Sequence, residues 1–403
     1  MTKKRLLLIL PDVPYPERKN GLSIRYFPIL DRLSKIYDLD CVLTLPDEPD
    51  KNSMKEISIF FSKIKVIINN HNQKISLLKR LKFILSRFNI NSPPHGLYSY
   101  NAKKNAKLIA ETYADNSYYK IIFVTLRNSH ELRFFHKLTG VTENIIIDII
   151  DSLSLHYSRR REENGLLHYY KLQQALNWEV NTIKLSSQAM YISKKDYGFV
   201  SNKILNPNKL HVVPNGVFIN GYHSKSINKT SLPSIGFLGS MNYSPNIKGA
   251  LFGHEIYKEY TKKFGPINYY IIGRDPVPQI KALASDPNVI VTGEIEDIWE
   301  YVNTVDVFVI HLFDGAGQQN KLLEVMYASK PVIANAISNA GIGGKHNKHL
   351  LLSEDKSTCV EQLSKLLNDQ ELSSQLSKNA HNYIEKTFSL DTTFNSYLDI
   401  IHK

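Results

Sequence analysis

Cysteine is nearly absent from this sequence of 403 residues, which contains only Cys41 and Cys359. Two cysteines so far apart supply neither a disulfide framework nor a four-ligand zinc site. This usage fits a protein of a reducing compartment, and we expect a cytoplasmic location. Glycine and proline are modest in number, 19 and 17 residues, which excludes collagen-like and low-complexity chains.

Long apolar runs are absent as well. No stretch reaches the roughly 18 consecutive apolar residues that indicate a membrane-spanning helix. The apolar residues 6–10 form too short a run for a signal peptide and predict a first β-strand instead. We therefore expect any membrane contact to be peripheral.

Acidic residues are scarce in one segment. Residues 51–110 contain twelve Lys or Arg and a single acid, Glu56, so they account for nearly all of the formal charge of +12. Within this segment, residues 74–88 predict a helix with an apolar stripe and basic residues around it. The stripe consists of Ile75, Leu78, Leu81, Leu85 and Phe88. Such a helix favours contact with an anionic membrane surface. The alternative is a helix packed on a sheet, with solvated lysines opposite.

Short apolar runs alternate with amphipathic stretches along the chain, which is the pattern of parallel sheets covered by helices. The candidate strands of the first half are residues 6–10, 41–45, 64–68, 121–125, 145–149 and 189–193. Those of the second half are residues 235–238, 267–272, 289–291, 306–312, 331–335 and 350–352. The sequence therefore predicts an α/β fold with two Rossmann-like domains in tandem. A polar stretch at 220–231, rich in Ser, Asn and Lys, is typical of a connection between them.

The loops that follow the strands of the second half carry the functional signal, because ligands of open parallel sheets bind at the carboxyl ends of strands. Loop 239–246 is a turn of small residues into a helix, whose free N–H groups can approach an anion. Glycine-containing loops also follow the next two strands, at 273–276 and 292–294.

The turn after the fourth strand of this half gives the strongest signal. Gly315 and Gly317 permit a tight turn, and Gln318 or Gln319 would open a helix. The positive end of that helix, together with Lys321, would meet a phosphate. One turn further along, Glu324 is placed to accept hydrogen bonds from ribose hydroxyls. A glycine pair alone is more often only a turn, so the prediction depends on the loops together.

Successive segments of the second half resemble family-4 glycosyltransferases of the GT-B fold, in matching order and spacing. The segments are PNGV at 214–217, GSMNY at 239–243, IGRDPVP at 272–278, VTG at 291–293, QNKLLEVM at 319–326 and KPVIA at 330–334. The resemblance implies two Rossmann-like domains that face each other across a cleft. The N-terminal domain, 1–214, would bind the acceptor, and the C-terminal domain, 215–387, would bind a nucleotide-sugar donor. A last helix, about 388–403, would cross back to the N-terminal domain.

The resemblance also implies a set of donor-binding residues. They are Gly239, Ser240, Asn242, Tyr243, Gly273, Arg274, Thr292, Gly293, Gly315, Ala316, Gly317, Gln318, Gln319, Asn320, Lys321 and Glu324. The sequence departs from the family at Ala316, where many members carry a glutamate that contacts the donor sugar. It departs again at Ser240 and Asn246, near which many members place an Arg and a Lys that hold the diphosphate. Lys248 is close to the second place in an uncertain register. These departures leave the identity of the donor open.

The first half resembles the family more loosely. The segment with Gly21 and Arg25 resembles a glycine-containing loop that lines the acceptor side of the cleft, although Arg25 also fits a solvated helical position. Arg127 and His130 lie near a catalytic-side position of the family, although both also fit a satisfied loop.

Two further segments of the first half, 148–152 and 178–179, are similar to segments of bacterial sugar transferases. They make Asp151 a candidate catalytic residue. The alternative is that Asp151 and Ser152 simply cap a helix.

No cluster of carboxylates or histidines predicts a metal site. Asp38 and Asp40 precede a candidate strand and are predicted to form a turn. The 14 histidines include no H-x-x-x-H pair or similar compact pair that predicts a metal site. We therefore expect no metal and no cofactor besides the nucleotide-sugar substrate.

These observations predict a glycosyltransferase that moves a sugar to a bacterial surface glycan (capsule, lipopolysaccharide or exopolysaccharide) or to a lipid-linked acceptor. The resemblance implies retention of the anomeric configuration, with Lys321, Arg127, His130 and Asp151 on the catalytic side and the leaving phosphate taking the acceptor proton. One alternative is a sugar-nucleotide epimerase or hydrolase on the same scaffold. Another is a non-enzymatic protein whose basic segment binds nucleic acid or membrane, but that leaves the glycine loops unexplained, and we expect no nucleic-acid partner.

Overall fold

The computed structural model describes residues 3–16, 20–69, 77–114, 116–159, 165–217, 231–314 and 317–403. The chain forms two compact units. The first comprises Met1–Asn215 with Thr393–Lys403, and the second comprises Gly216–Thr392. The sequence analysis places the corresponding boundaries after residue 214 and near residue 388, and most of its predicted connection, 220–230, lies outside the described residues. Within the described ranges, no helix is both long enough and apolar enough to cross a bilayer.

A parallel sheet of seven strands forms the centre of the first unit. Its strands are β1 (Arg5–Leu10), β2 (Asp38–Leu45), β3 (Lys63–Ile68), β4 (Lys120–Val124), β5 (Ile145–Ile150), β6 (Gln188–Tyr191) and β7 (Leu210–Val212). They lie in the order β3-β2-β1-β4-β5-β6-β7. The strand order therefore reverses between β1 and β4, and such a switch point is where open α/β sheets bind ligands.

Helices connect these strands. They are α1 (Gly21–Ile36), α2 (Lys51–Ser58), α3 (Leu77–Ser86), α4 (Ala102–Ala114), α5 (Ser129–Thr139), α6 (Leu153–Arg159), α7 (Leu166–Lys184) and α8 (Lys194–Ser201). Short 3₁₀ turns lie at His95–Leu97, Leu126–Asn128 and Pro207–Lys209. The central strand β1 is apolar from residue 6 to residue 10, and these residues are fully buried, as expected where helices cover both faces of a sheet.

The second unit has a parallel sheet of six strands. They are β8 (Ser234–Leu238), β9 (Asn268–Ile272), β10 (Val289–Val291), β11 (Val307–Ile310), β12 (Val332–Ala334) and β13 (Leu351–Leu352). Their order is β10-β9-β8-β11-β12-β13. The switch point of this sheet therefore lies between β8 and β11, and the two loops with the strongest sequence signals follow these two strands.

The described part of the chain from β8 onward contains eight helices, and the last of them extends into the first unit. They are α9 (Ser244–Phe264), α10 (Pro278–Lys281), α11 (Ile298–Thr304), α12 (Asn320–Tyr327), α13 (Ala336–Asn339), α14 (Lys356–Asn368), α15 (Gln370–Phe388) and α16 (Leu390–His402), with a 3₁₀ turn at Ala282–Ser285. Most of α16 belongs to the first unit, where Phe394, Tyr397 and Ile401 join the hydrophobic core. The expected return of the last helix is thus observed.

The predicted fold class, two parallel Rossmann-like sheets covered by helices, is confirmed, and each predicted strand corresponds to an observed one. The prediction misses β7, a strand of three residues. It is wrong for the turn at Asp38 and Asp40, because both residues lie in β2. Asp40 is buried there and accepts a hydrogen bond from the Tyr118 hydroxyl at 2.7 Å. The hydrogen bond from Tyr118, which is remote in sequence, thus allows the Asp40 carboxylate to lie buried in a strand, where the sequence pattern predicts a turn.

Candidate active site

Backbone hydrogen bonds join the loops that leave β8, β9 and β10. The Gly239 N–H donates to the Ile272 carbonyl at 3.0 Å. The Gly273 N–H donates to Oγ1 of Thr292 at 3.1 Å, and Gly273 also forms an isolated bridge with Gly293. The first three predicted donor loops therefore meet at one edge of the sheet.

Glycine is required where two of these loops touch. Gly273 has a φ of +144°, and a Cβ atom at this position would lie 1.9 Å from the Gly239 carbonyl oxygen. A Cβ atom on Gly239 would lie 2.7 Å from Nδ2 of Asn246. The loops thus approach each other at backbone distance, a geometry in which backbone N–H groups can contact a ligand.

Hydrogen bonds and an ion pair connect polar side chains within the loops after β8 and β9. Ser240 Oγ donates to Oδ1 of Asn242 at 3.0 Å, and Nδ2 of Asn242 donates to Oδ2 of Asp275 at 3.2 Å. Nε of Arg274 lies 3.5 Å from that same carboxylate oxygen. Tyr243 follows with about half of its side chain exposed. The predicted donor residues of the first two loops are therefore brought together.

Lys321 links the two loops on either side of the switch point. Its Nζ donates to Oδ1 of Asn246, and Nδ2 of Asn246 donates to the Ser240 carbonyl at 2.9 Å. Asn246 lies in α9 after β8, whereas Lys321 lies in α12 after β11. The contact therefore crosses the position where the strand order reverses.

The amine of Lys321 has a neutral hydrogen-bond partner. Nζ lies 5.0 Å from the centre of the Phe237 ring, and no ion pair joins Lys321 to another residue in the described part of the chain. The side chain keeps some contact with solvent. Desolvation by the surrounding protein nevertheless lowers the pKa of Lys321 to about 7, against the opposing effect of Glu324. An anion that arrives at this amine would raise the pKa and draw a proton to it.

The helix that carries Lys321 begins at Asn320, with Gln319 at the N-cap position and no side-chain cap. The sequence predicts that the helix begins at Gln318 or Gln319, and the observed helix begins one residue later. Gln318 is buried, and Glu324 is nearly buried on the same helix face as Lys321. The N–H groups of the first turn therefore point toward the same edge as the lysine.

The turn before this helix is only partly described. Gly317 has a φ of +73°, as a tight turn requires. Gly315 and Ala316 lie outside the described residues. The sequence analysis does not single out Gly341, although a Cβ atom there would lie 2.3 Å from the Gly317 carbonyl oxygen. The segment after α13 therefore packs directly on the turn.

Two further residues, Lys248 and Asn335, contact the segments that follow β11 and β12. Nζ of Lys248 lies 3.7 Å from Oδ2 of Asp314, so this lysine reaches the loop after β11. Asn335, which the sequence analysis misses, donates through Nδ2 to the Leu312 carbonyl at 2.7 Å and accepts at Oδ1 from the Ser338 N–H at 3.0 Å. The available signal for Asn335 is its position between β12 and α13, where asparagine is a favoured N-cap.

In the first unit, Arg25 lies in the interior and is 2% exposed. Its Nε pairs with Oδ2 of Asp148 at 2.8 Å. Its Nη1 donates to the Val213 carbonyl and to Oδ1 of Asn215, both at 3.0 Å. Neither predicted position of Arg25, on the acceptor side of a cleft or solvated on a helix, fits this arrangement, because the protein itself encloses and binds the guanidinium.

Two tyrosines extend the network around Arg25. The Tyr26 hydroxyl donates to Oδ2 of Asp148 at 2.7 Å and lies 3.1 Å from the hydroxyl of Tyr397 in α16. The network therefore ties α1 and β5 to the residues where the chain leaves the first unit and to the helix with which it returns.

Arg127 and Asp151 follow the adjacent strands β4 and β5, and both are exposed. The Thr125 N–H donates to the Asp148 carbonyl at 2.7 Å and holds the two strand ends together. Although Asp151 meets solvent, desolvation by the surrounding protein raises its pKa to about 7, and the charges of Asp196 and Asp148 act in the same direction. The two predicted residues thus lie at the ends of neighbouring strands.

Gly21 and Ser152 both stand at helix starts. Gly21 is the exposed first residue of α1, with open space where a Cβ atom would be. Ser152 Oγ accepts a hydrogen bond from the Leu155 N–H at 3.1 Å, so the capping interpretation fits this serine.

His130 packs among aromatic rings instead of standing free in a loop. Its ring centre lies 5.3 Å from that of Tyr98 and 5.9 Å from that of Trp178. Nδ1 accepts a hydrogen bond from the Ser99 N–H at 3.2 Å. Burial lowers the pKa of His130 to about 4, and nearby Arg133 acts in the same direction. This neutral imidazole anchors the segment before α4, and its predicted catalytic role stays a prediction.

Glu179 is fully buried and holds the start of α6. It accepts hydrogen bonds from the Leu153 N–H at 3.0 Å and from the Ser154 N–H at 3.1 Å. Desolvation raises the pKa of Glu179 to about 7, although these hydrogen bonds act to lower it. The segment 178–179 is therefore explained by packing and by stabilisation of a helix start.

Residues 3–16, 20–69, 77–114, 116–159, 165–217, 231–314 and 317–403 contain no group of three His, Cys, Asp or Glu side chains that could hold a metal ion. The expectation that the protein works without a metal stays a prediction.

Residues 232–369 match the family model described as "Glycosyl transferases group 1". This range begins before β8 and includes every described loop that converges on Lys321. The second unit contains a group 1 glycosyltransferase domain. The predicted resemblance to glycosyltransferases is thereby confirmed for this unit, whose class of activity is glycosyl transfer, and the family-4 subtype stays a prediction. No curated protein matches the chain.

Solved structures of glycosyltransferases are similar to the chain over nearly its whole length. One from Rickettsia africae has a TM-score of 0.68 at 14% identity and covers 100% of this chain and 98% of its own. Anabaena HepE, solved with UDP and glucose, has a TM-score of 0.66 at 14% identity and covers 98% and 99%. The lipopolysaccharide outer core galactosyltransferase WaaB has a TM-score of 0.65 at 15% identity and covers 99% of both chains. At these identities the likeness establishes the fold, which is GT-B.

Proposed function

We propose that the protein transfers a sugar from a nucleotide-sugar donor held at the switch point of the glycosyltransferase domain. The observation that carries the proposal is the contact between Lys321 and Asn246, which brings an amine whose hydrogen-bond partner is a neutral amide to the loops after β8 and β11. A diphosphate supplies negative charge next to this amine. Because HepE, which shares the fold, is solved in complex with UDP and glucose, a uridine diphosphate sugar is the first donor to test.

In the proposed reaction, negative charge grows on the departing phosphate as the bond to the sugar breaks. Protonated Lys321 and the N–H groups at the start of α12 stabilise that charge, and such groups commonly contribute about 10²- to 10³-fold each to turnover. Arg274 adds a further cation near the same edge. Glu324 accepts hydrogen bonds from the ribose hydroxyls. With these cations in place, the reaction proceeds without a metal.

The family resemblance supports retention of the anomeric configuration. In that mechanism, an oxygen of the leaving phosphate takes the proton of the acceptor hydroxyl as the new glycosidic bond forms on the same face of the sugar. No protein base is then required. We propose the first unit as the acceptor-binding part, with Arg127 and Asp151 at the ends of β4 and β5 as candidate contacts for the acceptor.

The proposed acceptor is a bacterial surface glycan or its lipid-linked precursor. WaaB, which has the same fold, is a lipopolysaccharide galactosyltransferase. We place the protein in the cytoplasm, at the inner face of the cytoplasmic membrane, where nucleotide sugars and lipid-linked acceptors meet.

A thermal-shift panel of UDP, GDP, ADP, TDP and CMP tests the donor site. A nucleotide at 100 times its dissociation constant should stabilise the protein by about 2.7 kcal/mol. We expect one of the five to do so, with the effect reduced to about half or less in Lys321→Met, as a tenfold or greater loss of affinity implies, and retained in Lys345→Met, an exposed control on the same unit. Equal shifts in both variants, or none with any nucleotide, would contradict the proposed site.

A further inference from the structure

Large apolar side chains cover the outer surface of α3. The exposed ones are Leu81, Ile84, Leu85 and Phe88, and they range from 49% to 79% exposed. The predicted alternative, a stripe packed on a sheet, therefore does not hold for its members Leu81, Leu85 and Phe88. Lys74 and Ile75 lie outside the described residues. Exposed apolar side chains this dense indicate a binding surface.

A narrow inner edge attaches α3 to the first unit. The ring centre of Phe83 lies 5.1 Å from that of Tyr98 and 5.2 Å from that of His95. The C-terminal end is fixed by Gln174 in α7, whose Nε2 donates to the carbonyls of Asn89 at 3.0 Å and Ser86 at 3.3 Å. The helix is thus held in place while its outer residues stay uncovered.

The first turn of α7 also exposes large apolar side chains. Leu166, Leu167 and Tyr169 are 90%, 69% and 61% exposed. Leu167 precedes Gln174 by seven residues, which places it on the same face of α7, about 10 Å along the axis from the contact with α3. We call Leu81, Ile84, Leu85, Phe88, Leu166, Leu167 and Tyr169 together the α3–α7 surface.

The exposed charged residues on α3 and in the turn after it are basic. Arg80 and Lys82 are exposed on α3, and Arg87 is exposed just after it, whereas two acids, Glu162 and Glu163, precede α7 in the sequence. The sequence contains no Asp or Glu from residue 57 to residue 110, nor from residue 165 to residue 178. A protein partner that matched only the apolar residues would leave these cations unpaired, whereas an anionic bilayer offers apolar depth and negative headgroups together.

We propose that the α3–α7 surface docks on an anionic lipid bilayer. Its apolar residues enter the boundary between headgroups and acyl chains, and Arg80, Lys82 and Arg87 meet the headgroups. The membrane contact predicted from the sequence involves only residues 74–88. The proposed docking adds a second helix, α7, whose first turn has no basic amphipathic pattern that would predict it. It involves neither donor nor acceptor, so vesicle binding and sugar transfer can fail separately.

Flotation of the full-length protein tests the docking with phosphatidylcholine vesicles and with vesicles that also contain phosphatidylglycerol. We expect recovery with the anionic vesicles only, decreasing with salt. Leu85→Ser/Phe88→Ser on α3 and Leu166→Ser/Leu167→Ser on α7 should each weaken binding about tenfold. Leu205→Ser is the matched control, since Leu205 is 97% exposed and lies outside the surface.

The charge contribution is tested with Arg80→Gln/Lys82→Gln/Arg87→Gln, which should weaken binding on the order of 10²-fold, because each cation near the surface contributes about 1 kcal/mol. The control is Lys345→Gln/Lys348→Gln, two exposed lysines of the second unit. Equal recovery on neutral and anionic vesicles would overturn the role of charge. Unchanged binding by the α7 variant would overturn the two-helix surface, and self-association without vesicle binding would replace the bilayer by a second copy.

A fluorescent label keeps the test valid if a serine variant folds poorly. Both native cysteines are buried, so Leu85→Cys, Leu167→Cys and Leu205→Cys can be labelled with an environment-sensitive dye. A blue shift with anionic vesicles at positions 85 and 167, but not at 205, supports the proposal. A shift at position 85 alone, or at none of the three, contradicts it.

Discussion

Arg25 in the first unit and Lys321 in the second are both enclosed cations, and they differ in their partners. Arg25 has a carboxylate at 2.8 Å and two further protein acceptors at 3.0 Å. Lys321 has the neutral amide of Asn246 and an aromatic ring. Burial acts to lower the pKa of both, but Asp148 together with Tyr26 and Tyr397 more than offsets that effect at Arg25, whereas the pKa of Lys321 falls to about 7.

The difference supports a structural role for Arg25 and the proposed ligand-binding role for Lys321. A charge that the protein already neutralises stabilises the fold and has little to offer an anion. A charge without a counter-ion is kept at a cost in stability, and a ligand that supplies the counter-ion recovers that cost. From the sequence, Lys321 is predicted to bind the donor, and Arg25 to bind the acceptor or to be solvated on a helix. Only the surroundings of Lys321 fit its predicted role.

Removal of Arg25 should have the largest effect, and the effect should be on stability. Arg25→Met leaves Asp148 as an uncompensated buried charge, so we expect the free energy of unfolding to fall by about 3–5 kcal/mol in urea titrations. Nucleotide binding by the remaining folded protein should not change. Normal stability with lost transfer to the acceptor would instead favour the acceptor contact predicted from the sequence.

Replacement of Lys321 should act on turnover instead. In Lys321→Met we expect turnover to fall about 10²- to 10³-fold, because the departing phosphate loses a cation that stabilises the transition state. The melting temperature should stay equal or rise, since an enclosed amine without a counter-ion is removed. Lys345→Met serves as the control. Near-normal turnover would contradict this prediction and would indicate that Arg274 or Lys248 stabilises the departing phosphate instead.

The pH dependence of donor binding sharpens the comparison. Because the pKa of free Lys321 is about 7, the amine is protonated below that pH and loses its proton above it. A nucleotide-sugar, whose diphosphate does not titrate in this range, should therefore bind more weakly as pH rises from 7 to 9, approaching tenfold per pH unit. Calorimetric titrations measure this slope. It should vanish in Lys321→Met, and a flat wild-type profile would contradict the lowered pKa.

The smallest predicted effect concerns the ribose. Glu324→Gln keeps one acceptor oxygen but loses the charge, so we expect nucleotide affinity to fall about fivefold, the cost of one weakened hydrogen bond. Isothermal titration measures it, with Glu361→Gln, an exposed residue of α14, as the control. A loss confined to turnover would place Glu324 near the sugar instead.

Local pattern was sufficient to predict the sheets and the donor loops. Strands such as residues 6–10 are buried on both faces, so their apolar runs are continuous and easy to recognise. Gly273 directly follows β9, and Lys321 lies at the start of the helix after β11, so topology alone brings both residues to one edge of the sheet. The fate of Arg25 depends on Asp148, 123 residues away, and nothing near Arg25 indicates that partner. For α3, spacing indicates the apolar stripe but not whether the protein covers it.

The most direct test of the account is a titration of Lys321→Met and Lys345→Met, at pH 7, with the nucleotide that stabilises the wild-type protein best. We predict that Lys321→Met binds at least tenfold more weakly and without proton uptake, while Lys345→Met binds as the wild type does. Wild-type affinity and proton uptake in Lys321→Met would contradict the claim that this amine receives the phosphate.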